Sequence, residues 1–426
     1  MKMFSSVRGT LIAAVLAWAT LHLGAVQAID FYPVFIALAL LFMLSLADGI
    51  RIEWWGWLLL IPLAPMAVNG SNAFEVMQYI ALWLAMVLAA HQMRKDLEED
   101  VRVSPMIYLI LALGVVEALM GLAQSLRRFA GQEISFFPMG TIYNRNHFAG
   151  FLEMLVPLSL MIGFARLYER SRRRRNRFSA RRPTFADRAA KAWIFLLAGG
   201  LLFLAILFCL SRGGAVSAMI GTAVAALLFS MREFAPDRSY SRILASSIII
   251  LVITGALWIG IQPVVERFVL VPKDSEGRTA VWGGTVQMIR DNPWTGVGAG
   301  MHGWAFTSYN TLEGAAFYDY AHNDYLQAAA EWGLPAALIF FGTIIIMIWR
   351  AGKACLIAED PVRASLLAGG VGGIVALLAH SFVDFNLQVP ANAILFGIIL
   401  GLTHSVARAG EVEMFVPGRE ASGGKG

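Results

Sequence analysis

Apolar positions in this chain come in long, nearly unbroken runs. They fall near 10–28, 31–50, 54–70, 73–91, 104–126, 148–168, 192–211, 213–231, 242–262, 334–352, 363–385 and 388–408. A helix needs roughly 20 such residues to cross a bilayer, so each run predicts a membrane span. The third is short and holds Pro62 and Pro65. The first resembles a signal peptide, with Lys2 and Arg8 ahead of it and Val26-Gln27-Ala28 as a cleavage-like end. Its apolar stretch is longer than a signal core, so a retained helix is expected.

Composition agrees with the pattern. Of 426 residues, 58% are hydrophobic and 15% charged, with a mean hydropathy of +0.64. A soluble core cannot hide that much apolar surface, and lipid must be part of the solvent. The expected fold is an all-α polytopic membrane protein of about 12 transmembrane helices.

Charge then orients the spans. The stretch RRRRNRFSARR, residues 172–182, sits between the sixth and seventh runs, and a short loop so rich in arginine stays in the cytoplasm. A nucleic-acid or anionic-lipid patch is its functional rival. Alternating outward from this anchor places Lys2, Arg8, Arg51 and the basic residues within 94–102, 232–242, 350–363 and 408–425 inside, with both termini cytoplasmic. Arg127, Arg128, Arg145, Arg212, Arg267, Lys273, Arg278 and Arg290 fall outside against the trend. An anionic ligand on the outer face is the simplest reason for them. Cys209 and Cys355 fall on opposite sides of the membrane, which excludes a disulfide or thiolate metal site.

The chain thus divides into helices 1–9 over residues 1–262, with the arginine-rich loop near 169–191, an outer loop at 263–333, helices 10–12 at 334–410 and a cytoplasmic tail at 411–426. The outer loop is long and aromatic, including Trp282, Trp294, Trp304 and Tyr320, which argues for order and function. Residues 277–290 have helical spacing at Val281, Thr285, Val286 and Ile289. DNPWTGVGAG at 291–300 is a turn-rich loop. A second helix is expected in YDYAHNDYLQAAAEWG, with Ala321, Tyr325, Ala328 and Ala329 on one face. The VGAG glycines lack the strand, Lys-Ser/Thr or distant acid of a nucleotide loop. Tight turns and close packing explain them better.

Taken together, NRNHFAGFL at 144–152, SRGG at 211–214, GRTAVW at 277–282, NPWTGVGAG at 292–300, HNDYLQAAAEWG at 322–333 and HSFVDFNLQVP at 380–390 resemble the O-antigen ligase and Wzy-type polymerase superfamily of bacterial envelope glycosyltransferases. The resemblance spans about residues 140–400 and rests on the order and spacing of the motifs. It implies a GT-C-like helical membrane body with a large helical periplasmic loop, in the bacterial inner membrane. It also implies transfer of a glycan from undecaprenyl pyrophosphate, to lipid A-core in ligases or to another carrier-linked oligosaccharide in polymerases. By the same resemblance, Arg212 and Arg278 match the arginines that hold pyrophosphate, and His322 matches the histidine that activates the acceptor.

The residues themselves fit those roles. A guanidinium is a charged planar fork that matches phosphate oxygens, and each well-placed donor stabilises a departing pyrophosphate by on the order of 3 kcal/mol. No metal and no cofactor are expected. Imidazole titrates near neutrality and can take the proton of an attacking hydroxyl, with inversion at the anomeric carbon. The plainer alternative has His322 capping or orienting a helix, with Asn323 and Asp324 satisfying backbone donors. Arg145, Asn146 and His147 either line the donor site or belong to a helix cap. His380 and Asp384, four apart, form either a structural pair or part of the site.

The expected partners are the carrier-linked donor, a lipid A-core acceptor and membrane lipids, with no nucleic acid. Lipid A-core ligation is favoured, with polymerisation and protein O-glycosylation as alternatives. A secondary transporter would place its ionisable residues mid-membrane, where Glu117 and Glu153 are the main acids. A noncatalytic scaffold would tolerate loss of His322.

Overall fold

The computed structural model describes residues 2–99, 103–130, 137–168, 185–232, 272–311 and 317–415. The predicted span at 242–262 and the arginine-rich stretch at 172–182 lie outside the described residues. The chain is an all-α polytopic membrane protein: among the described residues the only β feature is an isolated bridge between Leu23 and Ile142.

The helices are α1 (Lys2–Leu21), α2 (Ala28–Ala47), α3 (Trp54–Leu58), α4 (Leu63–Asn69), α5 (Ala73–Glu98), α6 (Pro105–Phe129), α7 (Arg145–Tyr168), α8 (Phe185–Phe208), α9 (Arg212–Met231), α10 (Pro272–Asp291), α11 (His302–Phe306), α12 (Asp324–Trp332), α13 (Leu334–Leu356), α14 (Pro361–His380) and α15 (Pro390–Phe415). Among the described residues, α2, α5 to α9 and α13 to α15 are long and apolar enough to cross a membrane. Helices prevail there because hydrocarbon offers the backbone no other hydrogen-bond partners.

α7 and α15 lie at the centre, each with 94% of its apolar window buried, whereas α2 has 28% and lies at the edge. Glycine lets the central helices approach closely. In α15, Gly397 and Gly401 form a GIILG pair whose Cα atoms press on the carbonyls of Leu82 and Met86 in α5. Gly373 of α14 meets the Met154 carbonyl of α7 in the same way, and Gly372 meets Gly221 of α9. Small residues at such spacings favour van der Waals association where water supplies no hydrophobic drive.

The third run differs from a single helix. It forms α3 and α4, separated by a turn that leads into Pro62, which lacks the N–H a continuous helix requires. Its two ends nevertheless meet opposite faces of the bundle. Glu53, just before α3, pairs with Arg408 near the end of α15, while Asn69 at the end of α4 donates to Thr295 Oγ1 at 2.8 Å in the loop after α10. The eleventh run also stops short of its predicted end, since α14 finishes at His380. The next carbonyls turn away to serve the start of α12: Ser381 O accepts from Asp324 N at 2.9 Å and Phe382 O from Asn323 Nδ2 at 3.0 Å.

Helices α10 and α12 follow their sequence pattern. α10 buries Val281, Thr285, Met288 and Ile289 and leaves Val286 half-buried. The glycine loop seals the end of α12, with Val297 N and Gly298 N donating to the carbonyls of Ala330 and Glu331 at 2.8 and 3.0 Å. Those carbonyls would otherwise lack helical partners. Gly296, at φ 65°, sits so near the Glu331 backbone that a Cβ would reach 2.3 Å from it, which is the close packing the sequence predicts.

Candidate active site

The site is assembled at one end of the bundle, where α7, α9, α10 and α12 meet the turn after α14. Its centre is the segment 380–387. Asp384 is buried there, with His147 Nε2 3.7 Å and His322 Nδ1 3.9 Å from its Oδ1. Phe385 packs edge-on against both imidazoles, at ring separations of 4.7 and 4.9 Å, and stacks on Tyr320 at 4.4 Å. One carboxylate and one aromatic ring therefore hold two histidines from opposite halves of the chain.

Local chemistry places His322. Asn323 is the N-cap of α12, its Oδ1 accepting from Tyr325 N and Leu326 N at 3.0 Å each. Asp324 docks the helix: its Oδ2 accepts from Ser381 Oγ at 2.7 Å and Leu387 N at 3.1 Å. Trp282 Nε1 of α10 donates to Ala321 O at 2.9 Å, which fixes the residue before the histidine. Capping and docking thus belong to Asn323 and Asp324, not to His322. His322 itself has φ 50°, a left-handed conformation that few non-glycine residues adopt but that histidine enters more readily than most, and its ring is 34% exposed. Strain of this sort persists only where the surroundings enforce it, and it concentrates at functional positions.

Arg278, on α10, donates from Nη1 to Val383 O at 3.1 Å, so its guanidinium lies beside the 380–385 turn. Arg212 is the first residue of α9, following Ser211, whose Oγ caps the helix through Gly214 N at 3.2 Å. The glycines of SRGG bring that helix end inward: a Cβ on Gly213 would sit 2.7 Å from His380 Nε2, and one on Gly214 2.3 Å from Ala149 of α7.

At the start of α7, Asn144 is the capping residue, its Oδ1 accepting from Asn146 N at 2.8 Å. Arg145 lies over the ring of Phe137 at 3.9 Å, and its carbonyl is 3.6 Å from Cys209 Sγ, next to the SRGG turn. Asn146 belongs to this capping turn. His147 is drawn into the site through Asp384, and its carbonyl accepts from Asn392 Nδ2 of α15 at 3.0 Å.

His380 and Asp384 do not pair with each other. The His380 imidazole lies 3.0 Å from Glu153 Oε2 of α7, both fully within the bundle, while Asp384 faces His147 and His322. Once α14 ends at His380, the two residues no longer share a helical face. The sequence signals both members in HSFVDFN but not their partners. Glu117 likewise has a local role, accepting from Thr141 N and Oγ1 at 2.9 and 2.6 Å. His302, which sequence reasoning passed over, lies between Thr285 Oγ1 at 3.0 Å and Asp319 O at 3.2 Å and ties α10 to α11; burial lowers it to about 4.

The two aspartates differ electrostatically. Burial pushes the Asp384 carboxyl up, but the imidazoles of His147 and His322 and the charge of His380 overcome this and hold it well below the usual carboxylate range. Asp324 is also fully buried, and there burial prevails over its hydrogen bonds to Ser381 and Leu387, raising it to about 7. The site therefore keeps a stable anion beside His322. Among the described residues, no three His, Cys, Asp or Glu side chains converge to hold a metal ion.

Histidines, arginines and a buried carboxylate thus meet at one mouth of a helical membrane bundle. Residues 195–341, about a third of the chain, match the family model described as O-Antigen ligase. This stretch runs from α8 into α13 and contains Arg212, Arg278 and His322. Over this stretch the chain is similar to the O-antigen ligase family, whose members are membrane glycosyltransferase-like ligases and polymerases. His147 and Asp384 lie outside the matched stretch, and the fold brings them to it. No curated protein matches the chain.

Proposed function

We propose that this protein is an O-antigen ligase that moves a glycan from an undecaprenyl pyrophosphate carrier to lipid A-core at the periplasmic face of the inner membrane. The observation that carries this reading is the convergence of a partly exposed His322, a buried Asp384 anion and Arg278 on the 380–385 turn, next to the N-terminus of α9 that bears Arg212.

In the reaction, the acceptor hydroxyl attacks the anomeric carbon while its proton passes to the free Nε2 of His322. Asp384, facing Nδ1, orients the ring and balances the imidazolium that forms. The bond between the anomeric carbon and the pyrophosphate oxygen breaks, and its electron pair leaves with the carrier. Arg212 and Arg278 stabilise that growing charge, assisted by the α9 N-terminus. In-line displacement inverts the anomeric carbon. No step needs a metal ion. Arg145 and His147 line the donor side, whereas Asn323 and Asp324 position His322 rather than touching substrate.

The test is transfer by purified protein in liposomes, with carrier-linked oligosaccharide, lipid A-core and EDTA. Glycosylated lipid A-core should form with the wild type and fall by about a hundredfold or more with His322→Ala and with Arg278→Ala, the range for loss of a general base or a charge-stabilising donor. Longer carrier-linked glycan without a lipid A-core product would make the protein a polymerase. Unchanged transfer by both variants would sink the assignment of residues.

A further inference from the structure

A large cavity opens at the end of the bundle opposite the candidate active site, with charged residues among a mainly apolar lining. It has a volume of about 1390 Å³ and opens between α3, α5, α13, α14 and α15. Arg51, Arg94, Arg350, Lys353, Arg363 and Arg408 all contribute to its lining, against the acids Glu53, Glu98, Glu359 and Asp360. Cations therefore outnumber anions around one cavity. Deeper in, the wall is apolar, with Met86, Val87, Met347 and Leu366.

A preference for positive charge on the cytoplasmic side explains why these residues are on this face. It does not explain why five separate parts of the chain bring them around one cavity large enough for a ligand beyond drug size. Two of the four acids have partners that the structure identifies. Glu53 is engaged by Arg408, and Asp360 caps α14 through Arg363 N at 3.0 Å. Arg51 is exposed and, among the described residues, forms no hydrogen bond or ion pair; Arg94 interacts with the charge of Glu98 and, more weakly, with that of Arg51. Trp55, beneath Arg350 at 5.8 Å, and Trp349, beneath Lys353 at 3.8 Å, add aromatic surface at headgroup depth.

We propose that this cavity binds an anionic glycerophospholipid, its phosphodiester among Arg51, Arg94 and Arg350 and an acyl chain along Met86, Val87 and Met347. Charge complementarity selects an anionic head, and the apolar floor selects a lipid over a soluble anion. The site is separate from glycan transfer and stands whether or not that reading holds.

Native mass spectrometry of the full chain, released from nanodiscs containing equal phosphatidylglycerol and phosphatidylcholine, tests it. The wild type should retain phosphatidylglycerol at least tenfold over phosphatidylcholine. Arg51→Glu, an exposed change that leaves the packing intact, and the Arg51→Ala/Arg350→Ala pair should lower that ratio at least fivefold, while Arg290→Ala on the other face leaves it unchanged. Thermal unfolding in detergent should rise with added phosphatidylglycerol but not with inorganic phosphate at equal concentration. Equal retention of the two lipids by the wild type, an Arg51→Glu ratio like the wild type's, or equal stabilisation by inorganic phosphate would each overturn the proposal.

Discussion

At the scale of single residues, two buried aspartates of the site are shifted in opposite directions. Asp384 is depressed in the folded chain, so it contributes stability above its unfolded value of about 4, and that contribution is lost as pH falls through its lower folded value. Asp324 is raised to about 7, so its contribution is complete below about 4 and is lost as pH climbs through 7. Asp324→Asn keeps an acceptor for Ser381 and Leu387 N but cannot ionise. Its thermal unfolding in detergent should therefore fall less than the wild type's between pH 5 and 8; equal slopes would remove Asp324 as the titrating group. Asp384→Asn should instead leave the chain folded at neutral pH and slow transfer at least tenfold, about 1.4 kcal/mol of barrier, by removing the anion opposite His322. Full activity in that variant would show that the Asp384 contact is incidental.

At the scale of elements, sequence and structure agree where periodicity governs and part where long-range partners do. The helical spacing read over 277–290 falls within the helix at 272–291, the helix expected in YDYAHNDYLQAAAEWG forms over 324–332, and Asn323 takes the N-cap place its residue type favours. Pro62 and Pro65 already warn that the third run is unlike the others, and the chain breaks ahead of Pro62. The end of α14 at His380 was not legible, because apolar residues continue past it; the helix stops because Asn323 and Asp324, far away in sequence, claim the next carbonyls. The GIILG pair at 397–401 lies inside a run that reads only as hydrophobic, yet it sets how near α15 comes to α5. A Cβ at Gly401 would lie 2.1 Å from the Met86 carbonyl, an atom of a helix backbone that cannot rotate aside. Gly401→Leu should therefore destabilise the bundle by about 1–3 kcal/mol, the cost of overpacking, whereas Gly200→Leu, with open space around its Cβ position, should leave the unfolding midpoint near the wild type's. Equal loss in the two variants would mean that the close approach is unimportant.

At the scale of the whole molecule, the motifs were readable one by one while their meeting was not. His322, Arg278 and Arg212 stand out as residue types in unusual places, but the pairing of Glu153 with His380 joins residues 227 apart, and spacing cannot reveal such a contact. What the sequence does supply is sidedness, and the fold now gives it a geometric form. Arg8, Asp48 and Lys95 cluster at one end of the bundle together with Glu53 and Arg408, while His322, Arg278 and the loop bearing Trp304 occupy the other. The arginine distribution predicts a cytoplasmic first end and a periplasmic second end, which labelling from one side of the membrane tests. Trp304 is 70% exposed and Lys353 is exposed, whereas both native cysteines are buried, so introduced thiols can report each end without removing Cys209 or Cys355. In intact spheroplasts, a membrane-impermeant maleimide should label Trp304→Cys within minutes and reach Lys353→Cys only after the membrane is opened. The reverse pattern would put the histidine site in the cytoplasm, away from any carrier-linked glycan already moved across the membrane, and ligation to lipid A-core would have to be given up.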